Sequence, residues 1–282
     1  MKSLKDSYIL RNKVEIPCVG FGTYLTPDGD TAVKAVRDAI QAGYRHIDTA
    51  AVYKNEQSIG KAVRESGIER KKLFITSKLW NSDQGYANTL HAFEKTMEKL
   101  NMDYLDLYLI HWPIAKGHSD DWQFMNLETW RAMEELYIEG RIRAIGVSNF
   151  MPKHLRPLME KATILPMVNQ IEIHPGFNQE DTVEYCKENG IVVEAWGPFS
   201  QGKLFESTVL NDLAKKYNKT IAQICLRWHL QRGILPLPKS VTPSRIVENT
   251  QIFDFELSAE DMDYISHIPI HRTGPDPDTF RA

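Results

Sequence analysis

The 282-residue chain sets 34 Lys and Arg against 37 Asp and Glu, with a net charge of −3 and a pI near 6.3, so it has no basic field of the kind that holds nucleic acid. Its length fits either two small domains or one large α/β domain, with core enough to stand without staples. Three widely spaced cysteines, Cys18, Cys186 and Cys225, form no C-x-x-C pair, which argues against a disulfide framework or zinc site and for a reducing compartment.

At the start, Met1-Lys2-Ser3-Leu4-Lys5-Asp6 has no apolar segment, and no later run approaches membrane-spanning length. The chain therefore reads as cytoplasmic, with no membrane partner. Tyr8-Ile9-Leu10 and Val14-Glu15-Ile16, parted by Arg11-Asn12-Lys13, predict a hairpin. Strand-like runs then follow at 19–21, 45–48, 74–78, 105–110, 144–148, 167–171, 192–196 and 235–237. Between them apolar residues recur at helical spacing, as in the stripes Leu90, Phe93, Met97, Leu100 and Trp130, Met133, Tyr137. Gly43, Gly140 and Gly190 stand where helices should end. Eight short buried strands alternating with helices favour a parallel (β/α)8 barrel over a doubly wound sheet.

Most strand starts lie about 23–31 residues apart, as expected of one βα unit per repeat. The two longer intervals hold a polar, aromatic loop at 112–126 and a second loop at 197–206 followed by two helical patterns. Loops that outgrow their repeat on this fold shape a pocket mouth. No linker or low-complexity tract interrupts the chain, so residues 1–282 read as one domain.

The carboxyl ends of the strands carry the chemistry: Asp48, Lys78, His111, Ser148-Asn149, Gln170, Trp196 and Lys239-Ser240. On a barrel these positions ring one opening. Tyr53 follows Asp48 on its loop. With a pKa of about 10 a free phenol is a poor acid at neutral pH, and a nearby ammonium would lower it. Lys78 can supply that cation, Asp48 can keep it charged, and His111 can orient a carbonyl oxygen. The competing reading is that His111 is the acid and Tyr53 merely packs.

A second signal is 237–245. Thr242 suits an N-cap and Pro243 the first helical position, so a helix starts beside Lys239 and Arg245 and makes a phosphomonoester site. Glu248 and Asn249 follow within reach of an adenine or ribose edge. Gly20-Phe21-Gly22-Thr23-Tyr24-Leu25 holds only part of the usual dinucleotide fingerprint and no helix begins there, so any nicotinamide must be held by the barrel itself. Trp196 could stack on a flat ring, and Ser148, Asn149 and Gln170 could bind a carboxamide. His46, His111 and His174 lack metal-ligand spacing.

These residues resemble the aldo-keto reductases, NADP-dependent barrel enzymes that reduce aldehydes and ketones. The match runs through Gly20-Phe21-Gly22-Thr23, Ile47-Asp48-Thr49-Ala50, Tyr53, Thr76-Ser77-Lys78-Leu79-Trp80, Ile110-His111-Trp112-Pro113, Gly146-Val147-Ser148-Asn149-Phe150, Asn169-Gln170-Ile171-Glu172 and Pro238-Lys239-Ser240-Val241-Thr242. The resemblance implies Tyr53 as general acid, tuned by Lys78 and Asp48, with His111 placing the carbonyl. It implies NADP(H) held by Gly22, Thr23, Asp48, Ser148, Asn149, Gln170 and Trp196, then by Gly197, Pro198, Phe199 and Leu237. Lys239, Ser240 and Arg245 would take the 2′-phosphate, and Val241, Thr242, Glu248 and Asn249 would also line the cofactor. Tyr24, Trp80 and Trp112, with His111, would wall the pocket of a small carbonyl substrate. Many relatives have Tyr where this chain has Trp196, and Ser-Pro-Leu where it has Gly197-Pro198-Phe199. The short loop 197–206 and short tail 270–282 resemble a compact microbial branch, which includes diketogluconate and methylglyoxal reductases and a protist prostaglandin F synthase. A monomer is expected. The alternative is a cofactor-sensing binding module similar to the potassium-channel β subunits.

Overall fold

The computed structural model describes residues 1–281. An antiparallel hairpin comes first, β1 (Ser7–Ile9) with β2 (Glu15–Pro17), turning where Lys13 takes a positive φ of 70°. Eight parallel strands follow: β3 (Gly20–Gly22), β4 (His46–Asp48), β5 (Phe74–Leu79), β6 (Leu107–Ile110), β7 (Ile145–Ser148), β8 (Val168–Glu172), β9 (Val192–Trp196) and β10 (Leu235–Pro236). They pair in chain order, and the seam between last and first is bridged by Gly22 N–H donating to the Pro238 carbonyl at 3.0 Å. Gly20 leaves room at this seam for side chains, since a Cβ on it would lie 2.4 Å from Leu237 Cδ2 and 2.7 Å from His46 Nδ1, and both would have to shift. The chain is a (β/α)8 barrel, as expected.

Parallel neighbours cannot be joined by a tight turn, so each needs a crossover. These are α1 (Asp30–Gln41), α2 (Glu56–Glu65), α3 (Tyr86–Leu100), α4 (Trp122–Ile138), α5 (Pro152–Met159) and α6 (Glu180–Glu188), then α7 (Thr208–Tyr217) and α8 (Ile221–Gln231) together. α9 (Pro243–Glu248) and α10 (Ala259–Ser266) follow the last strand. Each crossover buries its apolar stripe against the sheet: Phe93, Met97 and Leu100 of α3 and Trp130 and Met133 of α4 are buried, which is worth about 1.5–3 kcal/mol per large side chain. Gly43, Gly140 and Gly190 each follow a helix with positive φ, as helix ends require. Gly60 lets α2 touch α3, because a Cβ there would meet the Leu100 carbonyl oxygen at 2.0 Å. No helix among the described residues is long and apolar enough to cross a membrane.

Two local expectations need correction. The loop expected at 112–126 ends at Asp121, and Trp122 to Asn126 already belong to α4. Thr242 occupies the N-cap of the six-residue α9 but its hydroxyl makes no capping bond; instead its own N–H donates to Ser240 Oγ at 3.0 Å.

Strand side chains alternate between lumen and helix layer. The lumen receives polar groups, with His46, Asp48, Thr76, Lys78, Gln170 and Glu194 all buried. Burying so many of them is costly unless they satisfy one another, and that need positions the site.

Candidate active site

Asp48 closes β4, and the chain then makes a short 3-10 turn, Ala51–Tyr53, that carries the phenol back over the barrel end. Lys78 reaches up from β5, and His111 follows the last residue of β6. The fully buried Lys78 Nζ donates to Asp48 Oδ1 at 2.7 Å, to the Thr49 carbonyl at 2.9 Å and to Tyr53 Oη at 3.3 Å. All three donors of the ammonium are used, which makes this buried charge tolerable. His111 stands beside them, its ring centroid 5.8 Å from that of Tyr53.

Burial works against the charge on Lys78, but the charges of Asp48 and Tyr53 and its bonds to them outweigh it and hold its pKa above the usual lysine value. Burial also drives His111 well below the ordinary histidine range, with Lys78 pushing the same way, so its imidazole is neutral. The expected lowering of Tyr53 is not found. Desolvation pushes its pKa up to about 12, and the attraction of Lys78 offsets this only in part. Tyr53 is therefore a firmly protonated phenol at neutral pH, next to a cation suited to receive its phenolate.

Aromatic rings wall the approach. Tyr24 lies 5.1 Å from Tyr53 and Trp80 lies 5.2 Å from His111, centroid to centroid, with the nearly parallel Trp112 ring 6.4 Å from His111. Phe280 of the tail completes this wall, 4.5 Å from Trp112 and 6.5 Å from Trp80. A cleft of about 560 Å3 at the other end of the barrel, beside the hairpin, contains none of these residues. Chemistry rather than cavity size locates the site.

The residues expected to hold cofactor fall into three groups. Ser148 Oγ donates to the Gln170 carbonyl at 2.8 Å, and Asn149 Nδ2 donates to the His111 carbonyl at 2.9 Å. Trp196 Nε1 donates to Asn149 Oδ1 at 2.8 Å, so the indole is fixed by the residue that follows β7. Gln170 Nε2 donates to Asp48 Oδ2 and Glu194 Oε2, each at 2.8 Å. These four belong to one network with the catalytic candidates. Thr23, just after β3, joins it with its hydroxyl donating to the Asp48 carbonyl at 2.8 Å, whereas the Gly22 N–H is spent on the seam. Gly197 turns with a φ of 63°, Pro198 follows, and Phe199 packs on Phe205.

The third group lies apart, around α9. Lys239 and Arg245 are exposed and carry no ion pair among the described residues, while Ser240 and Leu237 are buried and Val241 and Thr242 exposed. Glu248 is half-buried and accepts from the Thr220 hydroxyl at 2.8 Å, and Asn249 is buried.

The family model described as "Aldo/keto reductase family" matches residues 19–269. The chain belongs to the aldo/keto reductase family. A glyoxal reductase of Bacillus subtilis (strain 168) is 53% identical over 277 residues, 98% of either chain. A methylglyoxal reductase, DkgA, of Escherichia coli (strain K12) is 42% identical over 94% of each chain. Among solved structures, a Bombyx mori aldo-keto reductase in complex with NADP superimposes with a TM-score of 0.85 at 37% identity, over 94% of this chain and 92% of that one.

Sequence reasoning missed three features of this aldo/keto reductase site. Phe280 sits in a tail with no periodicity, and nothing local announced its place in the wall. Glu172 was quoted only as part of a motif. In the fold its buried carboxylate accepts from Thr273 N at 2.7 Å, Thr273 Oγ1 at 2.6 Å and Gly274 N at 3.1 Å, tying the tail to β8. Glu194, an acid within the apolar run Val192-Val193-Glu194-Ala195-Trp196, was a visible anomaly read only as strand.

Proposed function

We propose that this oxidoreductase is an NADPH-dependent carbonyl reductase that converts small aldehydes and ketones to alcohols, with Tyr53 as general acid. α-Dicarbonyls such as methylglyoxal are its main substrate class, and keto-sugars are further candidates. The observation that carries the reading is one ammonium, Lys78, bonded at once to Asp48 at 2.7 Å and Tyr53 at 3.3 Å beside a neutral His111. The glyoxal and methylglyoxal reductases among the relatives support the substrate class, and the NADP-bound neighbour supports the cofactor.

In this mechanism His111 donates from a ring nitrogen to the carbonyl oxygen, orienting and polarising it. Nicotinamide, when bound, supplies the hydride. Tyr53 keeps its proton until that oxygen gains charge, because its pKa is pushed up to about 12. A developing alkoxide is a far stronger base than phenolate, so the proton then moves from Tyr53 Oη, and Lys78 stabilises the phenolate left behind. Asp48 holds Lys78 in place and charged. Tyr24, Trp80, Trp112 and Phe280 exclude water and accept a small apolar or dicarbonyl body.

The residues present suit a dinucleotide phosphate. Gln170 has spent both amide hydrogens on carboxyl groups, which leaves its carbonyl oxygen for a carboxamide N–H. Ser148 and Asn149 adjoin it, and the fixed Trp196 offers a flat face for stacking. Lys239 and Arg245, exposed and without ion pairs among the described residues, are the natural partners of a 2′-phosphate, Arg245 with its bidentate fork. The same reading takes the working unit as a cytoplasmic monomer, which light scattering checks. The decisive test follows NADPH absorbance with glyoxal, methylglyoxal, small aldehydes and keto-sugars. Consumption with at least one is expected; folded protein that turns over none of them refutes the reading.

A further inference from the structure

Below the site the lumen holds a second carboxylate that the chemistry above does not use. Glu194 lies in the middle of β9, fully buried, with Gln170 on β8 and Leu235 on β10 as its ladder neighbours. The single amide nitrogen of Gln170 spans two carboxyl groups, Glu194 Oε2 and Asp48 Oδ2, at 2.8 Å each. The other oxygen, Oε1, has no hydrogen-bond partner among the described residues and stands 3.8 Å from His46 Nε2. That nitrogen in turn lies 2.9 Å from Thr76 Oγ1.

The groups facing Glu194 decide its charge. β4 presents His46 and Asp48, β5 presents Thr76 and Lys78, and β8 presents Gln170. Glu172, next on the same face of β8, turns its carboxylate to Thr273 and Gly274. β3, β7 and β10 contain no titratable residue, and Tyr108 of β6 packs outward on Phe93. Burial, with Lys78 adding to it, holds the His46 pKa down to about 3, so His46 is neutral. Lys78 is then the one cation of the set, and Asp48 already holds it at 2.7 Å. A second ionised carboxylate would be an uncompensated buried charge, which costs far more than keeping a proton. Burial first, then the charge of Asp48, raises the Glu194 carboxyl to about 8.

We propose that Glu194 is a positioning residue acting as a neutral carboxylic acid. It receives one Gln170 hydrogen without adding charge, so the Gln170 carbonyl oxygen stays turned to the cofactor. On ionising in alkali it places a second negative charge near Lys78, which opposes phenolate formation at Tyr53 and slows reduction. The proton sits on Oε1, the oxygen that Gln170 does not reach. The inference rests on Gln170 as a cofactor ligand.

Two measurements test it. Infrared difference spectra of the wild-type protein, titrated from neutral to alkaline pH against E194Q, should contain the carbonyl stretch of a protonated carboxylic acid that fades with a midpoint near 8. The pH profile of kcat should fall with the same midpoint in wild type, and E194Q should lose that limb. Glu194→Leu, which leaves the Gln170 hydrogen without an acceptor, should weaken NADPH about tenfold at neutral pH. A missing infrared band, an E194Q profile that keeps the limb, or unaltered NADPH affinity in E194L overturns the proposal. Wild-type protein that binds no NADPH at all would instead refute the cofactor reading, and the infrared band would still report the proton on Glu194.

Discussion

Replacing Tyr53 with Phe removes one oxygen and leaves its surroundings nearly whole. That oxygen accepts a 3.3 Å bond from Lys78 Nζ, whose shorter bonds to Asp48 at 2.7 Å and the Thr49 carbonyl at 2.9 Å remain. The ring also remains, with its neighbours Tyr24 and His111 at 5.1 and 5.8 Å. One long hydrogen bond lost puts the cost in stability at about 1 kcal/mol. The cost in rate is larger, because a positioned acid contributes about 10²–10⁴-fold, or about 3–5 kcal/mol of barrier. Loss of NADPH absorbance with saturating methylglyoxal measures kcat, and quenching of tryptophan fluorescence measures NADPH affinity. The expected result is a kcat lowered at least about 100-fold with cofactor affinity nearly intact. A variant that keeps more than about a tenth of the wild-type kcat would refute Tyr53 as the acid.

Stability should peak near pH 6.5. Burial depresses His46 to about 3 and His154 and His229 to about 4, from an ordinary 6.5. Their contribution is full above 6.5 and is lost as the pH falls. Glu194 is raised from 4.5 to about 8, so its contribution is full below about 4.5 and is lost as the pH rises through 8. Between 6.5 and 8 only the second trend operates among these groups, at about 1.4 kcal/mol per pH unit. Denaturant midpoints across pH check this, and an E194Q protein that declines as steeply as wild type would contradict it. Arg245→Ala should weaken NADPH about 10–100-fold and NADH little, as expected for a lost charge-assisted phosphate contact; equal losses for both would remove Arg245 from the 2′-phosphate. Gly274→Ala should free the tail from the mouth, because its Cβ would lie 2.2 Å from Trp196 Cη2. The overpacking costs about 1–3 kcal/mol, and the KM for methylglyoxal should rise; an unchanged KM would separate the tail from the pocket.

The barrel was legible because its pattern is local. Runs such as 74–78 and 192–196 recur along the chain, most of them starting about 23–31 residues apart, with helical spacing between them. The gathering of the candidate site was legible for a related reason, since Asp48, Lys78, His111 and Trp196 stand at or just after strand ends that the fold brings together. What lay hidden depended on three-dimensional burial. Lys78 announced a cation beside Tyr53, but whether attraction or desolvation prevails there is set by the enclosing walls, and desolvation prevailed. The hydroxyl of Thr242 looked like a cap until Ser240 was found holding its N–H. Phe280 reaches Trp112 from far along the chain, and no spacing rule covers such a contact.

The bond from Gly22 to Pro238 joins the beginning of the barrel to its end. Until residue 238 leaves the ribosome, β3 and β9 each present an edge with unpaired backbone groups, a template for association with other nascent chains. Most of this protein must therefore be made before any of its cylinder can shut. A chain cut short ahead of β10 is expected to aggregate rather than persist as a smaller enzyme.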